Sequence, residues 1–220
     1  MTKRILVWDL PTRVFHWLLA CSFAGAFVTA ESERLRGIHV VLGYTVLGLV
    51  AFRLAWGFIG TRYARFSSFW YRPRRVAAYL KSVFSGTLEH HIGHNPAGSW
   101  AIFGLLSLAA AAGASGWLVY NDIGGRLAEG LHEGIANVML ALVAVHIAGV
   151  AVSSLLHREN LVRAMWNGGK RGDARAAASG PRTAIGIALL AAVLAFWADA
   201  ALSPPPAAPQ VASEYRHDRH

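Results

Sequence analysis

Five long apolar stretches recur along the 220-residue chain, and they constrain its fold more than any other feature. A helix needs about 20 mostly apolar residues to cross the hydrocarbon core of a bilayer, and backbone in lipid must satisfy its own hydrogen bonds, which favours helices. Only 15% of the residues are charged, against about 25% in soluble domains. The sequence therefore predicts an all-α membrane protein, with a four-helix transmembrane bundle and a fifth C-terminal transmembrane helix, over 14–30, 38–60, 99–120, 131–156 and 183–202.

The number of Lys and Arg residues alternates between high and low in the successive segments that join these stretches. Three precede or begin the first stretch and six lie in each of the loops 61–98 and 157–182, whereas loop 31–37 has two and loop 121–130 has one. Positive residues concentrate in cytoplasmic loops of membrane proteins. We therefore expect a multi-pass protein of the bacterial cytoplasmic (inner) membrane with a cytoplasmic N-terminus. The net charge of +9 then reflects topology, and we predict the lipid bilayer rather than nucleic acid as partner.

The first stretch resembles a signal peptide, because Val28-Thr29-Ala30 after the apolar run is similar to a cleavage site. Arg13 and His16 interrupt the run, so we predict that it is retained as a helix. The single cysteine, Cys21, excludes an internal disulfide, a CxxCH haem attachment and a thiolate metal cage. Any cofactor therefore needs other ligands, and the chain has ten histidines.

Four of those histidines lie in or at the ends of the apolar stretches: His16, His39, His132 and His146. An ionisable residue in a membrane helix indicates a functional site. With a cytoplasmic N-terminus, His16 lies toward the cytoplasm, whereas His39 and His132 lie near the outer surface. His146 follows His132 by 14 residues, which places it about 21 Å deeper and on the same face of the helix.

These depths predict two pairs, His39 with His132 near the outer surface and His16 with His146 toward the cytoplasm. One histidine on each of two facing helices is the arrangement that a haem iron with two imidazole ligands requires. Neutral imidazole binds iron well, and filling both axial positions favours electron transfer over oxygen activation. The sequence therefore predicts a haem-binding bundle with two non-covalent, bis-histidine haem b groups about 20 Å apart.

Two other roles for membrane histidines stay open, namely interhelical hydrogen bonding and proton relay. Arg53 follows His39 by 14 residues, so it shares that face at the cytoplasmic level. It could neutralise a propionate of the inner haem, or it could be an arginine whose head group extends to the interface. Gly43, Gly48 and Gly149 could leave room for the macrocycle, or could simply pack helices.

The remaining segments carry weaker signals. Residues 74–85 have the apolar spacing of an amphipathic helix, which would lie on the cytoplasmic membrane surface or pack on protein. His90, His91 and His94 could bind a metal, but a polar loop is favoured. We divide the chain into a haem domain at 1–170, a linker and helix at 171–202, and a disordered Pro-rich tail at 203–220.

Several motifs resemble the bacterial di-haem cytochrome b561 family, in the branch that includes b-type cytochrome subunits of nickel–iron hydrogenases. They extend over residues 1–170, and the matching stretches are Val7-Trp8-Asp9-Leu10-Pro11-Thr12-Arg13-Val14-Phe15-His16-Trp17, Gly37-Ile38-His39-Val40-Val41-Leu42-Gly43-Tyr44, Gly93-His94-Asn95-Pro96-Ala97-Gly98, and His132-Glu133-Gly134 through His146. The resemblance implies a four-helix core with two b haems whose axial ligands map to His16, His39, His132 and His146. It also implies electron exchange between membrane quinone and a partner redox protein.

We therefore hypothesise a membrane electron-transfer subunit, rather than a stand-alone enzyme, between the quinone pool and a periplasmic c-type cytochrome, dehydrogenase or hydrogenase. Arg13, Trp17, Tyr44 and Trp100 could line a quinone site. The alternative enzyme is a superoxide:quinone oxidoreductase, which needs a positive approach to the outer haem. A haem-free transporter is a third class, and a haem assay separates it from both.

Overall fold

The computed structural model describes residues 3–85 and 91–203. Within these ranges the chain is mostly helical, and each of the five predicted apolar stretches forms a helix. The helices are α1 (Leu10–Thr29), α2 (Arg36–Ile59), α3 (Pro73–Ser85), α4 (Pro96–Tyr120), α5 (Gly125–Leu156), α6 (Leu161–Asn167) and α7 (Thr183–Leu202). Two short strands, β1 (Lys3–Leu6) and β2 (Gly169–Gly172), complete the regular structure together with three single 3₁₀ turns.

Helices α1 and α4 begin with the same local chemistry. Asp9 precedes α1 and its Oδ1 accepts a hydrogen bond from the Thr12 N–H at 2.9 Å. Asn95 precedes α4 and its Oδ1 accepts one from the Gly98 N–H at 2.7 Å. Both helices have proline in the first turn, where the missing N–H costs nothing because it has no helical partner. Each motif therefore sets where its helix starts.

The helices of the bundle pack against one another in successive pairs. Helix α1 packs on α2 and α7, α2 packs on α4, and α4 packs along α5. Leu49, Ala109 and Met139 are nearly inaccessible in the apolar core between these helices. Among the described residues, the main packing of α5 is against α4 and α6, so α5 faces α1 and α2 without being packed directly against them.

Four segments of the described chain are long and apolar enough to cross a membrane: Glu33–Ile59, Pro96–Tyr120, Gly125–Leu156 and Thr183–Leu202. These support the predicted all-α membrane bundle and include the C-terminal helix α7. Helix α1 is not among them, because Arg13 and His16 lower its mean hydropathy. That all five helices cross the bilayer stays a prediction.

A two-stranded antiparallel sheet, which the sequence did not predict, joins the N-terminus to the segment that follows α6. Lys3 pairs with Gly172 and Leu6 with Gly169. The turn before β2 depends on Gly168, which has φ 80° and whose carbonyl accepts hydrogen bonds from the N–H groups of Val7 and Trp8. The sheet holds the N-terminus and the second long loop at the same end of the bundle. The proposed domain boundary at 170 falls inside β2.

The amphipathic segment at 74–85 forms α3, as its spacing predicted. Helix α3 packs on α4, and its buried Tyr79 side chain lies near Ser153 of α5. Leu80 is exposed. The helix therefore packs on protein along one side, and its contact with the membrane surface stays a prediction. His90 and the tail beyond residue 203 lie outside the described residues.

Candidate haem-binding histidine pairs

The first predicted pair faces across the bundle from α2 and α5. The imidazole rings of His39 and His132 have their centroids 6.0 Å apart, and their planes are nearly perpendicular at 89°. His39 lies in the first turn of α2 and His132 in the second turn of α5. Because both helices start from the same end of the bundle, the two side chains lie at matched depth, as the sequence predicts.

Hydrogen bonds to main-chain carbonyls orient both rings. His39 Nδ1 lies 2.8 Å from the Ala26 carbonyl oxygen on α1. His132 Nδ1 lies 3.0 Å from the Ala112 carbonyl oxygen on α4. A carbonyl oxygen can only accept, so each Nδ1 carries the proton and donates it. Each Nε2 is then an unprotonated nitrogen with a lone pair, which is the form of histidine that binds metals.

The spacing of the two rings fits a metal ion between them. A bond from a transition metal to an imidazole nitrogen is about 2 Å. Adding roughly 1 Å from that nitrogen to the ring centre and doubling the sum gives a centroid separation of about 6 Å, and the rings are 6.0 Å apart. The His39–His132 pair therefore has the ring separation and the protonation that two imidazole ligands of one iron would need.

The second predicted pair, His16 of α1 and His146 of α5, does not make the ring contact seen between His39 and His132. The two side chains are close enough to interact electrostatically. The His16 ring contacts Trp17 edge-on, with centroids 5.2 Å apart. His16 Nδ1 is buried and has no hydrogen-bond partner among the described residues, so the carbonyl anchor seen at His39 and His132 is not repeated at this histidine.

Helix α5 links the two pairs because it is continuous from Gly125 to Leu156. The 14 residues from His132 to His146 therefore correspond to a rise of about 21 Å. On α2, a Cβ added at Gly43 or Gly48 would meet no atom within 4 Å, so the structure has space beside this helix. At Gly116 of α4 there is no such space, because an added Cβ would lie 2.9 Å from His132 Cε1.

Arg53 lies at the opposite end of α2 from His39 and is only 3% exposed. Its guanidinium lies over the Phe66 ring at 4.7 Å and within electrostatic range of Asp9. The side chain is thus inside the protein rather than extended to the interface. Its Nη1 is buried without a hydrogen-bond partner in the described chain.

The four residues considered for a quinone site do not form one cluster. Arg13 and Trp17 come together, because Arg13 Nη1 donates to the Trp166 carbonyl at 2.6 Å and the Trp17 ring contacts Trp166 edge-on. Tyr44 instead contacts Tyr120 at the other end of the bundle. Trp100 lines a separate groove of about 680 Å³ beside α3 and α4.

His94 is the residue whose environment differs most from expectation. Instead of pointing from a polar loop into solvent, its ring packs against Trp8 at 4.6 Å and Phe69 at 4.4 Å between centroids. Its Nδ1 is buried without a partner among the described residues. The sequence signals for His94 were its place before the Asn95-Pro96 helix start and its position within the Gly93–Gly98 stretch that resembles the family. Across the described ranges, no group of three or more His, Cys, Asp or Glu side chains is arranged to hold a metal ion.

Comparison with known proteins agrees with this architecture. The family model described as prokaryotic cytochrome b561 matches residues 7–168. Two relatives from Escherichia coli strains K12 and O157:H7, each described as a probable Ni/Fe-hydrogenase 1 B-type cytochrome subunit, are 25% identical over 146 residues. The match covers 53% of this chain and 60% of each relative, so this chain spans less than two thirds of their length. No solved structure matches this chain significantly. The family match includes α1, α2, α4 and α5 with all four histidines, and the chain belongs to the prokaryotic cytochrome b561 family.

Proposed function

We propose that the chain is a transmembrane electron carrier with two haem b groups, each held by two histidines. Membership of the cytochrome b561 family implies transmembrane electron transfer through haem b. The observation that carries the finer proposal is the outer pair, His39 and His132, at 6.0 Å between ring centroids with both Nδ1 atoms bound to carbonyls. Haem supplies an iron that gains and loses one electron, and bis-histidine ligation leaves no open position for oxygen.

The protein's part is to hold and orient both groups. Carbonyls of α1 and α4 fix the outer imidazoles and raise the basicity of Nε2. His16 and His146 would hold the inner group, and Arg53 would neutralise one of its propionates. The spacing along α5 puts the two centres at different depths, which is what transfer across a bilayer requires.

Quinone is the proposed membrane partner at the cytoplasmic end. Arg13 Nε and Trp17 Nε1 are buried donors without partners in the described chain, and Trp17 contacts the inner ligand His16. A quinone carbonyl accepts hydrogen bonds of this kind. These residues support a quinone headgroup beside the inner haem.

On the outer side we propose a redox protein as partner, namely a periplasmic c-type cytochrome or a dehydrogenase or hydrogenase subunit. The relatives' description as hydrogenase cytochrome subunits supports this class. The outer loops carry Arg34, Arg36 and Arg126 against Glu31, Glu33, Asp122 and Glu129, all exposed. Three positive and four negative charges do not attract an anion such as superoxide, so the carrier role is favoured over superoxide oxidation. The proposed setting is the bacterial inner membrane with the N-terminus in the cytoplasm.

Haem counting in single and double histidine variants tests the pairing. The full chain should contain two haems in a pyridine haemochrome assay. Each of His16→Ala, His39→Ala, His132→Ala and His146→Ala should retain one. The double variant of His39 and His132 should still retain one, because both changes remove the same site, whereas the double variant of His39 and His146 should retain none.

His157→Ala is the matched control, since His157 follows α5 directly, and it should keep two haems. A chain that binds no haem would end the proposal. Double variants that lose haem regardless of pairing would contradict the assigned pairs while leaving haem binding intact.

A further inference from the structure

Four ionisable side chains are buried together at the end of the bundle where α1 and α4 begin. Asp9 is 1% exposed, Arg53 3% and Lys170 5%. The pKa of His94 is lowered by burial and then by the charges of Arg53, Lys170 and His146, so all of these lie within electrostatic range of it. Buried charges are costly unless they are paired or hydrogen-bonded, so each of the four needs a partner.

Two of the four have their partners within the chain. The Asp9 carboxylate accepts hydrogen bonds from Trp56 Nε1 at 3.2 Å and Thr61 Oγ1 at 2.6 Å, besides the Thr12 N–H. Lys170 Nζ forms an ion pair with Glu159 at 3.1 Å and donates to the His91 carbonyl at 3.2 Å. Neither group has an obvious need for a further ligand.

Arg53 is different, because the contacts of its guanidinium leave the Nη1 donor without an acceptor in the described chain. The Phe66 ring covers the face of the guanidinium, which leaves the N–H groups at the edge, and Nη1 is buried without an acceptor in the described chain. A guanidinium has five N–H donors in a fixed fork that matches a carboxylate. Natural proteins rarely leave a buried donor of a charged group without a hydrogen-bond partner.

His94 offers a second donor in the same buried cluster. Trp8 and Phe69 hold its ring in place, and its Nδ1 is buried without a partner among the described residues. Burial, together with the positive charge of Arg53, lowers the pKa of His94 to about 3. The imidazole is therefore neutral near pH 7 and can donate one hydrogen bond without adding a second positive charge.

The geometry points to Arg53 and His94 as a joint binding site for the propionate carboxylates of the inner haem. His94 acts as a positioning residue through its Nδ1, which binds no other group in the described part of the chain. The assignment rests on the proposed function, because it needs a haem at His16 and His146. A carboxylate fits a charged fork plus one neutral donor within apolar walls. The site lies near the inner ligand His146 and at the end of α2 opposite to the outer ligand His39.

Midpoint potentials of the full chain test this assignment. The background is the double variant in which His39 and His132 are alanine, so that the one remaining haem belongs to the inner pair. Losing the positive charge in Arg53→Met should lower the midpoint potential, because an unneutralised propionate favours ferric iron. His94→Leu should also lower the midpoint potential. His94→Gln, whose amide N–H can donate a hydrogen bond as the imidazole does, should have a midpoint potential close to that of the parent. Haem release should become about tenfold faster in Arg53→Met and His94→Leu, since each loses a hydrogen bond to a charged group.

Tyr63→Phe is the matched control. Tyr63 packs on Trp8 in the same cluster, and its hydroxyl donates to the Ala176 carbonyl, so its loss perturbs the fold locally without touching the proposed site. Potentials and release rates in the Arg53 and His94 variants equal to those of Tyr63→Phe would overturn the assignment.

An electron paramagnetic resonance spectrum separates positioning from ligation. The bis-histidine signal should persist in His94→Leu, and its loss would make His94 an axial ligand and overturn the assignment. If Arg53→Met does not accumulate in membranes, the contrast between His94→Leu and His94→Gln decides alone. A parent chain without haem would instead refute the proposed function.

Discussion

The packing of Gly116 against His132 allows a quantitative test of how the outer pair is held. In Gly116→Ala the new Cβ would lie 2.9 Å from His132 Cε1, whereas ordinary contacts begin at 3.4 Å. The ring must therefore retreat from α4 by 3.4 − 2.9 = 0.5 Å. Since the Ala112 carbonyl that anchors Nδ1 at 3.0 Å is also on α4, the same movement lengthens this hydrogen bond toward the limit of about 3.5 Å.

The expected consequence is a weaker and less basic outer ligand. A net loss of about 0.5–1.5 kcal/mol follows from one hydrogen bond, and loss of such a supporting partner typically lowers metal affinity by about 10–100-fold. Because the Nδ1–H donation raises the basicity of Nε2 and so favours ferric iron, its loss should raise the midpoint potential of the outer haem. Haem retention during detergent washing and a spectroelectrochemical titration measure the two effects.

Gly134→Ala is the matched control for this substitution. Gly134 lies two residues from His132 on the same helix, and an added Cβ there meets no atom within 4 Å. It should leave both haems unchanged. If Gly116→Ala and Gly134→Ala have the same potentials and the same haem content, the carbonyl anchor on α4 does not tune the ligand, and the reasoning fails.

Three further substitutions test other parts of the structure. Gly168→Ala should lower the free energy of unfolding by about 1–2 kcal/mol, because the φ of residue 168 is 80° and an added Cβ lies 2.6 Å from the Trp8 carbonyl oxygen. The melting temperature in detergent should fall by several degrees. The control Gly37→Ala, whose added Cβ meets open space, should lower the melting temperature less. Asp9→Asn should lower the free energy of unfolding by about 1–3 kcal/mol, since three donors hydrogen-bond to the carboxylate. An unchanged melting temperature would contradict a stabilising role for these hydrogen bonds. Trp17→Phe keeps an aromatic side chain but removes the indole N–H, which has no partner in the described chain. Quinol should then reduce the haems with an about tenfold higher half-saturation concentration and unaltered haem spectra. The same half-saturation concentration as in the parent would exclude Trp17 from the quinone site.

Much of the fold could be predicted because lipid imposes simple rules on sequence. A long apolar stretch in lipid must form a helix, so the helices could be predicted from the apolar stretches of the sequence. The spacing of His132 and His146 could be converted into depth and face because an α-helix has a fixed rise and period. The pairing of His39 with His132 then followed from depth, and the structure brings those rings together.

The end of the bundle where α1 and α4 begin could not be predicted in the same way, because it depends on long-range contacts between polar segments. Pairing of Lys3–Leu6 with Gly169–Gly172 joins residues that are far apart in sequence, and neither strand has a marked period-two pattern. Likewise His94 stood in a polar stretch, and only the packing of Trp8 and Phe69 around its ring shows that it is inside the protein.

The amino-acid sequence alone determined the helices, their order and the levels of four histidines, because helix geometry and the exclusion of unpaired backbone from lipid act locally along the chain. Only the tertiary structure decided which main-chain carbonyls orient His39 and His132, and which buried donors of Arg53 and His94 have no partner among the residues that the structure describes. Those properties depend on distances between separate helices and loops, and no local pattern of residues specifies such distances.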